Sequence, residues 1–168
     1  MSSAPGDGVK VSVFVRVSPE DAFDVFTREI DRWWRKGPQY RIGGRARGQL
    51  MFEPGPHGRL FETYDSADGA RTFEVGAITA WEPPVRLGFE WRGVNFQPSE
   101  RTWVEVTFER QREGTLVCVV HRGFAALPSD HPVRHGKQGS EFTRVIGAWW
   151  GQLMTGLREY VETLTPPP

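Results

Sequence analysis

The chain has 168 residues and balances 21 Lys and Arg against 21 Asp and Glu, so no net field draws it to a polyanion and no nucleic-acid partner is expected. Its single cysteine, Cys118, excludes an internal disulfide and a multi-thiolate metal site. No apolar run reaches the roughly 20 residues of a bilayer span, and no charged-then-apolar leader opens the chain, so the expectation is a soluble, cytoplasmic protein without membrane insertion.

This length suits one domain, 1–168, burying roughly 68–70% of the surface its unfolded chain exposes. We expect an ordered core of about 9–164. The tips "MSSAPGDG" (1–8) and "TPPP" (165–168) are expected to be loose. Val9, Val11, Val13, Val15 and Val17 alternate with Lys10, Ser12, Phe14 and Arg16, the period of a half-buried strand. Ser18-Pro19-Glu20-Asp21 then opens a helix: a cap, proline at the first helical position and an acid at the third. Ala22, Phe23, Phe26, Ile30, Trp33 and Trp34 follow at helical spacing up to Gly37-Pro38, as one helix or two short ones.

From Gly48 the chain reads as six strands joined by short turns. "QLMFEP" and "RLFETY" flank Gly55-Pro56-His57-Gly58; "RTFEVGAITAW" and "VRLGFEW" flank Glu82-Pro83-Pro84; "RTWVEVTFER" and "TLVCVVHRGF" flank Glu113-Gly114. After a loop rich in Pro, His and Gly, Ser140 is placed to cap a long final helix. Its apolar stripe runs from Phe142 and Val145 through Trp149, Trp150, Leu153 and Leu157 to Leu164. Strand, helix, six strands and long helix predict an α+β grip: a seven-stranded antiparallel curved sheet wrapped around the C-terminal helix, with space for a ligand between them. The stretch "GAITAWEPPVRLGFEWRG" should turn Val85, Leu87, Phe89 and Trp91 toward that helix.

Five segments in order, "VSVFVRVSPEDAFDVFT", "DRWW", "IGGRARGQLMFE", "GAITAWEPPVRLGFEW" and "VIGAWWGQLMTGLREYV", resemble the START-like (SRPBCC) superfamily and, within it, the branch related to the activator of Hsp90 ATPase. The resemblance implies the helix-grip (START/Bet v 1-like) fold. For function it implies three alternatives: binding of a hydrophobic or aromatic small molecule, polyketide cyclase or aromatase chemistry in the same pocket, or co-regulation of an Hsp90-type chaperone ATPase.

The residues themselves favour the first. No nucleotide-binding loop, nucleophile elbow or zinc-protease motif is present, and no cofactor and no metal are expected. His131 and His135 in "HPVRH" have a helical ligand spacing that Pro132 and Gly136 oppose, and read as two solvent-exposed loop histidines. Cys118 reads as a small buried hydrophobe. Of His121 and Arg122, adjacent on a strand, one should face the interior, which makes them the two candidates for a catalytic or orienting polar group. Arg41, Arg45 and Arg47 form the one local basic cluster, either solvated or clamping an anion at the pocket mouth. Phe89, Trp91, Trp149 and Leu153, with Trp34, Phe52 and Phe61 behind them, are expected to bind the ligand. Gly147, Gly151 and Gly156 suggest close approach of backbone or ligand along the last helix. An exposed strand edge leaves a homodimer open.

Overall fold

A computed structural model describes residues 7–164. Of the tips expected to be loose, 1–8 and 165–168, residues 1–6 and 165–168 lie outside the described residues; Asp7, in the remainder, accepts the Phe124 amide on its carbonyl at 3.0 Å. The elements in order are β1 (Val9–Val15), α1 (Pro19–Arg28), α2 (Ile30–Trp33), β2 (Gly48–Phe52), β3 (Arg59–Ser66), β4 (Gly69–Glu82), β5 (Arg86–Trp91), β6 (Thr102–Gln111), β7 (Gly114–Arg122) and α3 (Gly139–Leu164). Two short 3-10 turns, Phe124–Ala126 and Pro132–Arg134, precede α3.

The seven strands form one sheet in the order β1-β7-β6-β5-β4-β3-β2, antiparallel at every pairing. The meander therefore runs from β2 to β7, and β1 adds to its far edge. The register slips at Leu60/Phe61 and at Ile78/Ala80; irregularities of this kind bend strands and sharpen their twist, which curls the sheet. The chain crosses from edge β1 to edge β2 through α1 and α2, laid over the concave face.

Local chemistry explains the helices. The Ser18 hydroxyl oxygen accepts the Asp21 amide at 3.1 Å, and Pro19 occupies the first turn. Phe23 and Phe26 turn inward against Phe108, at ring centroid distances of 5.2 and 5.8 Å. A second short helix ends at Trp33, whose indole N–H donates to the Val25 carbonyl at 3.1 Å. The 26 residues of α3 span about 39 Å. This helix starts at Gly139, one residue before the expected cap Ser140. It packs along β1 and against α2, burying Trp150, Leu153, Met154, Leu157 and Val161 over Leu87, Phe89, Val106, Val117 and Val119. Gly156 lies under the Trp33 carbonyl, where a Cβ would stand 3.1 Å from its oxygen, so close approach holds there; Gly151 has nothing within 4 Å, and a Cβ at Gly147 would make only an ordinary 3.9 Å contact with Val9.

Three expectations need correction. Val85 is 61% exposed in the turn before β5, which passes through a cis Pro83–Pro84 bond, so the inward face of that strand is Leu87 and Phe89 alone, with Trp91 half-buried at its end. Cys118 is half-buried, because Val117, Val119 and His121 take the inner positions and leave it on the outer face. Arg41 is neither solvated nor an anion clamp. It is 7% exposed and donates to the Asp31 carboxylate at 2.6 Å and to the carbonyls of Asp31, Trp34 and Arg35; Arg45 and Arg47 are exposed.

Candidate functional site

The middle of the helix-grip is packed, and the open space lies at one end. A second small core of Phe96, Phe124, Leu127 and Phe142 sits beside the main one, and Trp91, Val133 and Ile146 pack against it. Over these three residues opens a cleft of about 850 Å³. Its sides are the strap 38–42 that follows α2, the turn after β5 (Gly93, Val94, Asn95), the turn with His135 and Lys137, and the first half of α3 with Trp149 and Gln152.

Side chains hold the strap in place. The Trp149 indole N–H donates to the Gln39 carbonyl at 2.7 Å, and that of Trp34 donates to the Tyr40 carbonyl at 3.0 Å. Buried Glu62 accepts the amides of Ile42 and Gly43 at 2.9 and 2.6 Å. Asp31, besides taking Arg41, accepts the Leu50 amide of edge strand β2 at 2.8 Å. Burial alone would raise the Asp31 carboxyl, but the Arg41 guanidinium and the Leu50 amide together hold it below its ordinary range. The ring of Tyr40 then stacks on Trp149 (5.8 Å, 21°), and Trp91 meets Trp149 edge to face at 5.8 Å. The cleft wall is thus three rings in a row, with Trp149 in contact with both of the others.

Behind this wall runs one chain of hydrogen bonds. The Trp150 indole N–H donates to Nδ1 of His121 at 3.0 Å, so the imidazole proton sits on Nε2. Nε2 donates to Thr102 Oγ1 at 2.8 Å, and Thr102 donates to the Trp91 carbonyl at 2.8 Å. The chain ties α3, β7, β6 and β5 together at the strand end that carries Trp91. His121 is 1% exposed and packed by Phe124 and Trp91. Burial pushes its pKa down from 6.5 to about 3. Both ring nitrogens are engaged, so the imidazole has no free lone pair or N–H to offer a ligand.

Of the seven residues expected to bind a ligand, Trp91 and Trp149 line the cleft. Trp34 is buried one layer back, edge-on to Trp149 at 5.7 Å. Phe89 and Leu153 are fully buried in the main core, with Phe52 edge-on to Phe89 at 5.3 Å. Phe61 lies outside that core, under the Arg59 guanidinium at 4.6 Å. Of the two polar candidates, His121 faces inward and borders the cleft with its ring almost wholly buried, and Arg122 is exposed. His135 is solvent-exposed as expected, but His131 is buried against Phe96 because it accepts the Val133 amide on Nδ1 at 3.1 Å and donates from Nε2 to Glu100 at 2.9 Å, which leaves it no nitrogen for a metal. Among the described residues no three His, Cys, Asp or Glu side chains converge on a metal position, and no helix is long and apolar enough to cross a membrane.

Sequence reasoning passed over Tyr40, Val94, Asn95, Lys137, Ile146 and Gln152, all in the cleft lining. Ile146 and Gln152 could have been found, since they lie three residues before and after Trp149 and so share its face of α3. The others sit on loops whose path depends on contacts distant in sequence.

The family described as Activator of Hsp90 ATPase homolog 1-like protein matches residues 16–162. No curated protein matches the chain significantly. Solved structures share its fold at low identity. MLL2253 from Mesorhizobium loti has a TM-score of 0.64 at 18% identity, over 95% of this chain and 99% of its own. PFC0360w, an HSP90 activator from Plasmodium falciparum, has 0.62 at 16%, over 94% and 97%. DynU16, from the dynemicin biosynthetic locus, has 0.63 at 21%, over 96% of this chain and 49% of its own.

Proposed function

The chain belongs to the Activator of Hsp90 ATPase homolog 1-like family, and on that premise we propose that it binds a hydrophobic or aromatic small molecule in the cleft between the strap, the end of β5 and the first half of α3. The observation that carries this reading is the wall of Tyr40, Trp149 and Trp91 facing an open volume of about 850 Å³. Small-molecule sites have this character, roughly 300–1,000 Å³ with apolar and aromatic walls and a few polar groups at the edge. In this reading Trp91 and Trp149 touch the ligand. Trp34, Phe89 and Leu153 hold the wall from behind, and Phe52 and Phe61 support the sheet.

Binding is better supported than turnover. A cyclase- or aromatase-like step needs a group able to give or take a proton within reach of a bound carbonyl. His121 has both nitrogens engaged in the protein and Arg122 is exposed.

The test is a titration with the uncharged fluorophore phenylnaphthylamine. Saturable one-site binding is expected, weakened about tenfold or more in Trp149→Ala and unchanged in Trp103→Ala, whose ring is exposed on β6 away from the cleft. Absence of saturable binding, or equal affinity in all three proteins, refutes the reading.

A further inference from the structure

We infer that the cleft selects anionic ligands, apolar molecules carrying a carboxylate, sulfonate or similar head, over uncharged ones of the same shape, with Lys137 as the residue that sets the preference. The inference rests on the ligand-binding reading above and deepens it.

The charge pattern of the lining carries the argument. Although the whole chain balances its charges, no Asp or Glu among the described residues lines the cleft, while Arg41, His135 and Lys137 do, beside the neutral His121 whose two nitrogens are already bonded. Arg41 is spent: its guanidinium is buried against Asp31 and three carbonyls. The two others come from one turn at the lip. Lys137 makes one bond, to Glu141 at 2.9 Å, with its side chain 39% exposed; an ammonium carries three N–H donors, so donors remain for a ligand head. His135, held at φ 48 with its ring exposed, has no hydrogen-bond partner for that ring among the described residues. An apolar body lying on Trp149 and Trp91 therefore meets the Lys137 ammonium and no carboxylate among the described lining residues. The acids close to the lining lie outside it and are engaged: Glu141 by Lys137, Asp31 by Arg41, and Glu62 by the Ile42 and Gly43 amides. A cationic or zwitterionic amine would find no counter-charge in this wall.

A matched probe pair isolates the effect: anilinonaphthalene sulfonate and phenylnaphthylamine share nearly the same rings and differ by a sulfonate. In the wild-type chain at low ionic strength the anion should bind about threefold or more tightly than the neutral probe, as suits a partly exposed ion pair. The preference should shrink at about 0.5 M salt, where charges are screened beyond a few ångströms. It should vanish in Lys137→Gln and grow in Glu141→Gln, which frees the ammonium. Loss of both probes' binding in Trp149→Ala assigns the signal to the cleft. Equal affinities for the two probes, or an anion preference that survives Lys137→Gln, overturn the inference and leave ligand binding standing. Failure of both probes to saturate overturns the binding reading, and this inference with it.

Discussion

Acidification should destabilise the protein, and a separable share of that loss should run through His121. Its Nδ1 already accepts the Trp150 N–H, and the groups packed on it are Thr102, Trp91, Phe124 and Trp150, none of them charged. Burial disfavours the charged imidazolium, and a proton added to Nδ1 would face another donor with no counter-charge packed against the ring. The folded pKa therefore falls to about 3 from 6.5. The unfolded chain takes up the proton first, so the stability that neutral His121 contributes is fully present above 6.5 and is lost as pH falls toward 3. One proton at 1.36 kcal/mol per pH unit gives a loss of about 2 kcal/mol between neutral pH and about pH 5, and about 4 kcal/mol by about pH 3. With a urea slope of about 2 kcal/mol/M, the first step moves the unfolding midpoint by about 1 M. The assay is urea unfolding followed by Trp fluorescence at both pH values, for wild type and for His121→Gln, whose carboxamide offers one acceptor and one donor but cannot titrate. The variant should be less stable near neutral pH and lack the extra loss on acidification, while carboxylates and the other histidines contribute to both proteins alike. Equal losses in the two proteins would refute the argument.

Other outcomes follow from the packing. Gly151→Ala should raise stability by about 0.5–1 kcal/mol, since the added methyl meets nothing within 4 Å in the helix; thermal unfolding reads it, and destabilisation would mean that the helix surface there is occupied. Phe89→Ala should cost about 3–5 kcal/mol because its ring is fully buried, while affinity for phenylnaphthylamine in the folded fraction stays within about twofold. A selective loss of affinity would move the ligand into the core. Asp31→Ala should cost about 2–4 kcal/mol, leaving the buried Arg41 charge and the Leu50 amide without their acceptor, and hydrogen exchange should speed up first in β2.

The strands and helices were legible because each has a period. Val13 and Val15 in β1, Leu87 and Phe89 in β5, and Val117 and Val119 in β7 all take the inner face that alternation assigns. The same parity, carried two residues further, places His121 inside and both Cys118 and Arg122 outside; reading Cys118 singly, by its apolar neighbours, misplaced it. The site was legible in part. Phe89 and Trp91 share a face, but alternation does not say where along a strand the covering helix stops, and that point separates a core ring from a cleft ring. The strap was not legible, because its path is set by Asp31, Glu62 and Trp149, which reach it from three separate elements.

That strap has a consequence for kinetics. Its carbonyls at Gln39 and Tyr40 are held by the indoles of Trp149 and Trp34, and one of those indoles also forms the cleft wall. On the proposed binding reading, a guest arriving there would meet a surface already fixed by these bonds, so little chain entropy would remain to be lost on association. Entry should then be limited by diffusion and orientation, with bound and free backbones differing by little, and differences in affinity among ligands should show in how slowly they leave.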